Sequence, residues 1–499
     1  MPSESLPAIE PRESAEPLAA SNATPGSGSV APARAAAPAR PPRGWLRARW
    51  QQYVVLYFVG LLAFGAVTGA RLWRPSSAPH FVFQADAWLH GHIAVTAGIT
   101  GDDWAKIETV SLDDGSRVRG RRLQTRPMFR TLAGSEIAMT RVRATIGSEF
   151  QMSFPPLPAV LLLPQTLISG RAANDTLFTV LFAALLLPLG FALLRRLAAA
   201  GVTANRAVDD LWLVAALGFG TVFFFSAVQG KVWFTAHVVG VVFALIYAWA
   251  SVEAAHPWIA GLALACAATT RTPMAFMFPL FMFEAWRMAQ RVRLDRVAFK
   301  RQLGATLLRF ALPVVVGALA AAAYNYVRFT SFTEFGHTYL DVRQQQQIER
   351  FGLFSMHYLA RNLAVAFTLL PELPGRAPWL QIGGHGLALW FTTPIFLTLL
   401  WPKQRNATSR ALWITVACVA IPTLFYQNSG WWQFGYRFSL DYSVFLIMLL
   451  AVGGRPLTRV GKMLIVVGVV VNLFGAVTFD RSFQYYRLGG NAYDVVVPH

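Results

Sequence analysis

The feature that most constrains this chain is the recurrence of apolar stretches long enough to cross a lipid bilayer. A hydrocarbon core of about 30 Å needs roughly 20 apolar residues per helix. That template predicts spans near 53–72, 174–194, 208–228, 232–253 and 257–270, then near 272–286, 304–325, 385–401, 409–427, 434–452 and 461–479. With 55% hydrophobic and 14% charged residues, against roughly 25% charged in soluble domains, the expected class is an all-α polytopic membrane protein of about eleven helices.

The net charge of +19 would suggest nucleic acid in a soluble chain. Here the cations sit in clusters beside the apolar spans, which is what orientation in a membrane requires, so no nucleic-acid partner is expected. With a cytoplasmic N-terminus, the inner ends receive Arg40/Arg43/Arg47/Arg49, Arg195/Arg196/Arg206, Arg287 to Arg301, Lys403/Arg405/Arg410 and Arg455/Arg459/Lys462. This topology puts 73–173, 326–384 and "QNSGWWQFGYR" on the outer side. Cys266 and Cys418, the only cysteines, fall inside apolar stretches and read as packing residues.

Three domains are expected. Residues 1–44, rich in Pro, Ala and Ser, cannot bury enough surface to offset the entropy of ordering and read as a disordered cytoplasmic tail. Residues 45–480 form the membrane domain, its first span a retained anchor, and 481–499 a short outer tail. Within the first outer loop, "TVSLDDGSRVRGRRL" alternates around Asp-Gly and predicts a β-hairpin. "SFPPLPAVLLLPQTLISG" is short and broken by prolines, so it predicts an interfacial helix rather than a crossing.

Ionisable groups near the outer ends of spans are the candidate chemistry, because such groups at membrane depth need a partner or a watery cavity. Asp86 in "QADAWLHG" reads either as the N-cap of a helix "AWLHGHI" or as a general base or metal ligand. Asp102 and Asp103 in "GDDWAK" read as turn residues or supporting acids. His90 and His92 cannot share one helix face and read mainly as surface groups. Arg271 in "TTRTP" reads as a snorkelling arginine or a phosphate ligand. Arg437 and Asp441 are spaced i, i+4 and are expected to pair on a helix. Lys231, Arg328 and His337 complete the outer set.

In order of elements the chain resembles the GT-C fold of membrane glycosyltransferases that use polyprenyl-phosphate sugars, and is similar in type to the family 39 mannosyltransferases. The resemblance rests on a first span, a long outer loop with "QADAWLHG", "FPPLP" before a span closing in "LLRRL", then "TTRTPMAF", "YNYVRFTSFTEFGHTYL" and "WWQFGYRFSLDYSVFL". It implies an inverting transfer from a polyprenyl-phosphate donor to a glycan, lipid or protein acceptor on the outer face of a bacterial plasma membrane. The implied roles are Asp86 as base and Arg271, Arg437, Arg328 and Lys231 on the donor phosphate, with Asp102, Asp103, His90, His337 and Asp441 supporting. No organic cofactor is implied and no metal ligands are assigned, while a divalent metal stays open. The rival readings are a flippase for lipid-linked sugars and a non-catalytic scaffold. The former calls for two halves of related hydropathy, a repeat not visible here.

Overall fold

The computed structural model describes residues 43–96, 98–291, 295–342 and 344–487. The architecture is that of the unit formed by residues 49–499. The expected tail 1–44 lies outside the described residues except Arg43 and Gly44, and the outer tail lies outside them from 488 onward.

In chain order the first helix is α1 (Arg43–Thr68), followed by α2 (His80–Leu89). Five strands come next: β1 (Trp104–Leu112), β2 (Arg117–Arg122), β3 (Met128–Thr131), β4 (Glu136–Ala138) and β5 (Val142–Met152). The chain returns through α3 (Leu157–Ser169), α4 (Asp175–Ala184), α5 (Leu186–Ala199), α6 (Ala207–Phe219), α7 (Phe223–Ala227), α8 (Val232–Ser251) and α9 (Pro257–Ala268). Then come α10 (Pro279–Arg291), α11 (Arg296–Phe329), α12 (Gln345–Phe351), α13 (Leu359–Phe367), α14 (Leu389–Thr392), α15 (Ala407–Phe425), α16 (Leu440–Val452) and α17 (Arg459–Thr478).

Among the described residues, six helices are long and apolar enough to cross a membrane: Trp50–Trp73, Asp175–Ala199, Val232–Ala254, Arg296–Phe329, Ala407–Phe425 and Arg459–Thr478. The five other expected spans are shorter or interrupted. The 208–228 stretch breaks between α6 and α7, where α17 crosses so closely that a Cβ on Gly468 would lie 3.0 Å from the Gly220 carbonyl. The 385–401 stretch yields only α14 and a 3-10 turn at Pro394–Leu400. Asn472 on α17 donates to the Thr392 carbonyl at 2.7 Å, so a carbonyl freed by that break is satisfied inside the protein rather than left to lipid. The 272–286 stretch divides into a 3-10 turn, Thr272–Met277, and α10. Tyr247 repairs this junction by donating to Met277 O at 2.6 Å and accepting from Phe281 N at 3.1 Å.

α16 is buried on almost every side and sits at the centre of the main apolar core with α5, α6 and α8. α11 is the opposite case: only 6% of its apolar window is buried, an apolar surface that calls for lipid. Its 34 residues span about 51 Å, more than a bilayer core, and its Asp295 cap accepts from Val297 N and Ala298 N.

The expected hairpin forms β1 and β2, with Glu108 opposite Gly120 and Val110 opposite Val118. Gly115 takes the left-handed conformation at φ +82° that this turn requires. The hairpin belongs to a larger unit than expected, an antiparallel sheet of order β4-β3-β2-β1-β5. Glu349 of α12 ties down the adjoining turn: it accepts from Arg121 Nη1 at 2.6 Å, Thr125 Oγ1 at 2.8 Å and the backbone N–H groups of Gln124 and Thr125. Despite its burial, these hydrogen bonds, with Thr125 foremost, hold its carboxyl down at about 2. The proline-rich stretch forms α3, 13 residues long and so about 20 Å, too short to cross. Its first N–H donates to the Thr269 carbonyl at 3.0 Å, and it packs with α2 and the start of α8 in a second apolar cluster.

Candidate functional site

One cavity of about 280 Å³ gathers the ends of several elements. Trp233 and His237 come from the first turns of α8, Arg271 and Pro273 follow α9, and Glu334 and His337 follow α11. Tyr426, Gln427 and Asn428 follow α15, Arg437 and Phe438 precede α16, and Asp103, Ser153 and Phe154 flank the sheet. Basic residues stand at the other ends of two of these helices, with Arg296, Lys300 and Arg301 opening α11 and Arg410 in the first turn of α15; Arg287 and Arg291 close α10, and Arg459 and Lys462 open α17. Arg196 closes α5 and reaches the Val252 carbonyl beyond the far end of α8.

Asp103 is held in place from both sides. It takes φ +69°, a region that Asp tolerates better than most residues. Its carboxylate accepts from Trp233 Nε1 at 2.5 Å, and its carbonyl accepts from Ser153 Oγ at 2.8 Å. His80, opening α2, stacks on Trp104 with ring centroids 4.2 Å apart, and its Nε2 lies 2.7 Å from the Asp102 carbonyl. Burial pushes the Asp103 carboxyl above its ordinary range, against the opposing pull of the Trp233 hydrogen bond and the Arg437 charge.

Asp441 and Arg437 do not pair, contrary to the i, i+4 expectation. Arg437–Ser439 is a 3-10 turn and α16 starts only at Leu440, so the α-helical spacing that would bring them together is absent. Asp441 is instead gripped by Arg271, whose Nε and Nη2 donate to its two oxygens at 3.0 and 2.8 Å, and by His237 Nδ1 at 3.2 Å. The Arg271 partner that was not visible near it in sequence lies 170 residues away.

Arg437 is left without a carboxylate among the described residues. Buried to 4% exposure, it donates Nη1 to the Trp432 carbonyl at 3.3 Å and lies over Phe234 and Phe438 at 5.4 and 5.7 Å, while its Nε has no partner. Its backbone is fixed by Gln433, which accepts from Arg437 N at 3.0 Å and donates to the carbonyls of His385 and Ser429 at 2.8 and 3.1 Å. Glu334 staples its own turn by accepting from Gly336 N at 2.6 Å and Thr338 Oγ1 at 2.7 Å. Burial, then the charges of Arg271 and Arg328, lower the His337 imidazole to about 4, so it is neutral at pH 7.

Of the residues singled out in sequence, Asp103, Arg271, His337 and Arg437 line the cavity, and Asp441 stands behind Arg271. Asp86 is not on the wall. It falls in the last turn of α2, which begins six residues before it, so it does not cap that helix as one reading expected. Arg171 Nε donates to its carboxylate at 3.0 Å, and Nδ1 of the exposed His90 donates to its carbonyl at 2.8 Å. Lys231 is bridged to Asp480 at 2.6 Å. Arg328 is a buried strut between the Met152 carbonyl at 2.6 Å and Asn325 Oδ1 at 2.8 Å. Asp102 and His92 are exposed. Among the described residues, no three His, Cys, Asp or Glu side chains gather as a metal site, so Asp103, Glu334 and His337 do not make an all-protein metal cage.

Sequence reading missed His237, Glu334, Trp233 and Tyr426. His237 carried a usable signal, since an ionisable residue inside an apolar span is by default a site hypothesis; the others had none beyond their place at span ends.

No protein-family model matches the chain, and no curated protein matches it. Two solved structures are similar to it, both of the oligosaccharyltransferase of Archaeoglobus fulgidus. The apo form gives a TM-score of 0.40 at 11% identity over 91% of this chain and 58% of that one. The form tethered by a disulfide bond to an acceptor peptide with an NVT sequon gives 0.38 at 13% identity over 91% and 57%. This chain thus spans under two thirds of their length, and likeness at that level transfers neither residues nor activity.

Proposed function

We propose that this protein is a GT-C-type membrane glycosyltransferase, of the polyprenyl-phosphate-dependent, family 39-like kind, acting at the outer face of a bacterial plasma membrane. Its acceptor is a hydroxyl or amide group of a glycan, lipid or protein. The observation that carries the reading is Arg437, a buried guanidinium with no carboxylate partner among the described residues, facing a cavity it shares with Arg271 and an acid. An unpaired buried cation costs several kcal/mol, and an anionic ligand is the natural way to offset it. Arg271 retains free N–H donors after its bidentate bond to Asp441, so two arginines face one anion.

In this reading the acceptor group attacks the anomeric carbon and the bond from that carbon to the phosphate oxygen breaks. The electron pair leaves with the polyprenyl phosphate, and the acceptor proton passes to Asp103. A phosphate is a good leaving group, so the protein's task is to supply a base within reach and cations where charge accumulates. The base role is given to Asp103 rather than Asp86, because Asp103 borders the cavity while Asp86 is engaged by Arg171 away from it. The raised carboxyl of Asp103 suits a base, since proton affinity nearer the working pH improves transfer. Outer sidedness is supported by the basic helix ends opposite the cavity.

The test incubates purified full-length protein with a panel of radiolabelled polyprenyl-phosphate sugars and measures release of free polyprenyl phosphate. Release with one donor, dependent on an added acceptor, is expected. Binding without release from any donor would instead identify a scaffold.

A further inference from the structure

We infer that His237 is a specificity-determining residue which accepts a hydrogen bond from a hydroxyl of the donor sugar next to the anomeric phosphate. This deepens the proposed function and rests on it for the identity of the ligand.

His237 stands in the second turn of α8, has no solvent-accessible surface, and lines the cavity. Its Nδ1 lies 3.2 Å from Asp441 Oδ1. Asp441 is itself fully buried and bound on both oxygens by Arg271, and a carboxylate so held only accepts. Nδ1 therefore carries the hydrogen, and in the neutral ring Nε2 is left with a lone pair. That Nε2 has no partner among the described residues. A buried polar atom left unmatched costs free energy, and His237 lines the cavity, so a ligand bound there can supply the missing partner.

The geometry specifies what would satisfy it. The ligand must present a donor to Nε2 and an anion to Arg271, because Asp441 holds both side chains at this one cavity. A sugar 1-phosphate has this pattern: the phosphate on the anomeric carbon and a hydroxyl on the carbon beside it. Phosphate alone, or a lipid phosphate without a sugar, satisfies the arginines and leaves Nε2 unmatched. His237 thus separates a glycosylated donor from its spent polyprenyl phosphate, and a 2-hydroxy sugar from a 2-deoxy one.

Two measurements on full-length protein in detergent test this. Ring 15N shifts of labelled histidine, assigned with His237→Gln, are expected to show the Nδ1–H tautomer at His237; an Nε2–H tautomer would overturn the inference whatever the enzyme does. Competition binding then compares glucose 1-phosphate, 2-deoxyglucose 1-phosphate, inorganic phosphate and the polyprenyl-phosphate sugar that the panel assay selects, beside its 2-deoxy form. Wild type is expected to prefer the 2-hydroxy member of each pair by about 5- to 100-fold. His237→Phe should lose most of that preference, and His237→Gln, which keeps an acceptor, should retain part of it. Equal discrimination by wild type and His237→Phe overturns the inference while leaving the glycosyltransferase reading intact. If His237→Phe does not fold, equal binding of both members by wild type overturns it in the same way. Failure of every phosphate-bearing compound to bind overturns the glycosyltransferase reading and this ligand assignment with it.

Discussion

Arg271 and Arg437 share one cavity but are held so differently that the same substitution should move stability in different directions. Arg271→Met strands Asp441, whose carboxylate has no accessible surface and would keep only the 3.2 Å contact to His237. Breaking a buried pair from one side costs roughly 3–5 kcal/mol. Arg437→Met strands no acid, because no ion pair reaches Arg437 among the described residues. The substitution loses one hydrogen bond at 3.3 Å and two ring contacts beyond 5 Å, together about 1–2 kcal/mol, and removes a buried charge whose burial costs several. The anchor of the segment survives, because Gln433 accepts from the Arg437 backbone rather than its side chain. Arg437→Met should therefore leave apparent thermal stability unchanged or raised, by up to about 2 kcal/mol, while weakening donor binding roughly 10- to 150-fold, as losing a charge-assisted hydrogen bond of about 1.5–3 kcal/mol implies. The assay pairs thermal unfolding in one detergent and lipid mixture with titration of the selected donor. An Arg437→Met protein that melts as low as Arg271→Met and binds donor normally would refute the assignment of Arg437 as an anion ligand.

The pH profile carries the sign of the Asp103 shift. Burial raises this carboxyl above its ordinary 3.8, so kcat/KM should fall as pH drops through the raised value, and the acid limb should lie above the ordinary aspartate range. The same shift makes wild type lose stability relative to Asp103→Asn as pH rises from 3.8 through that native value, which a paired melt series reads. Glu349 has the opposite sign: lowered from 4.5 to about 2, it contributes at most about 3 kcal/mol at neutral pH at roughly 1.36 kcal/mol per pH unit, less where solvent screens it, and this is lost as pH falls through that interval. Glu349→Ala should accordingly speed amide hydrogen exchange at Gln124 and Thr125, the two N–H groups it accepts from, with little change in α8.

The parts of this architecture governed by local pattern were legible in the sequence. The Asp-Gly turn, the proline-limited helix α3 and the six long helices follow from turn chemistry and apolar length alone. The breaks in the five shorter segments were not legible, because apolarity reports burial and not what satisfies the backbone. α16 is apolar since protein surrounds it, and the 385–401 stretch is apolar yet interrupted because Asn472, from elsewhere in the chain, satisfies its backbone. The site was legible only in part for a related reason. Arg271, Arg437, His337 and Asp103 were visible as ionisable groups at span ends, but which acid meets which arginine depends on a contact across 170 residues. Asp86 drew attention by its place after the first span, whereas Asp103 looked like a solvated turn. What distinguishes them is a Trp233 indole 130 residues further on, which no local window contains.

The most direct test of the account is polyprenyl phosphate release by Asp103→Asn beside Asp86→Asn, at equal membrane insertion and with the donor that wild type uses. With Asp103 as the base, Asp103→Asn should lose on the order of 10²- to 10⁴-fold in kcat, while Asp86→Asn, which loosens a contact with Arg171 outside the cavity, should stay within a few-fold of wild type. Full activity in Asp103→Asn, or its loss in Asp86→Asn alone, would contradict the site described.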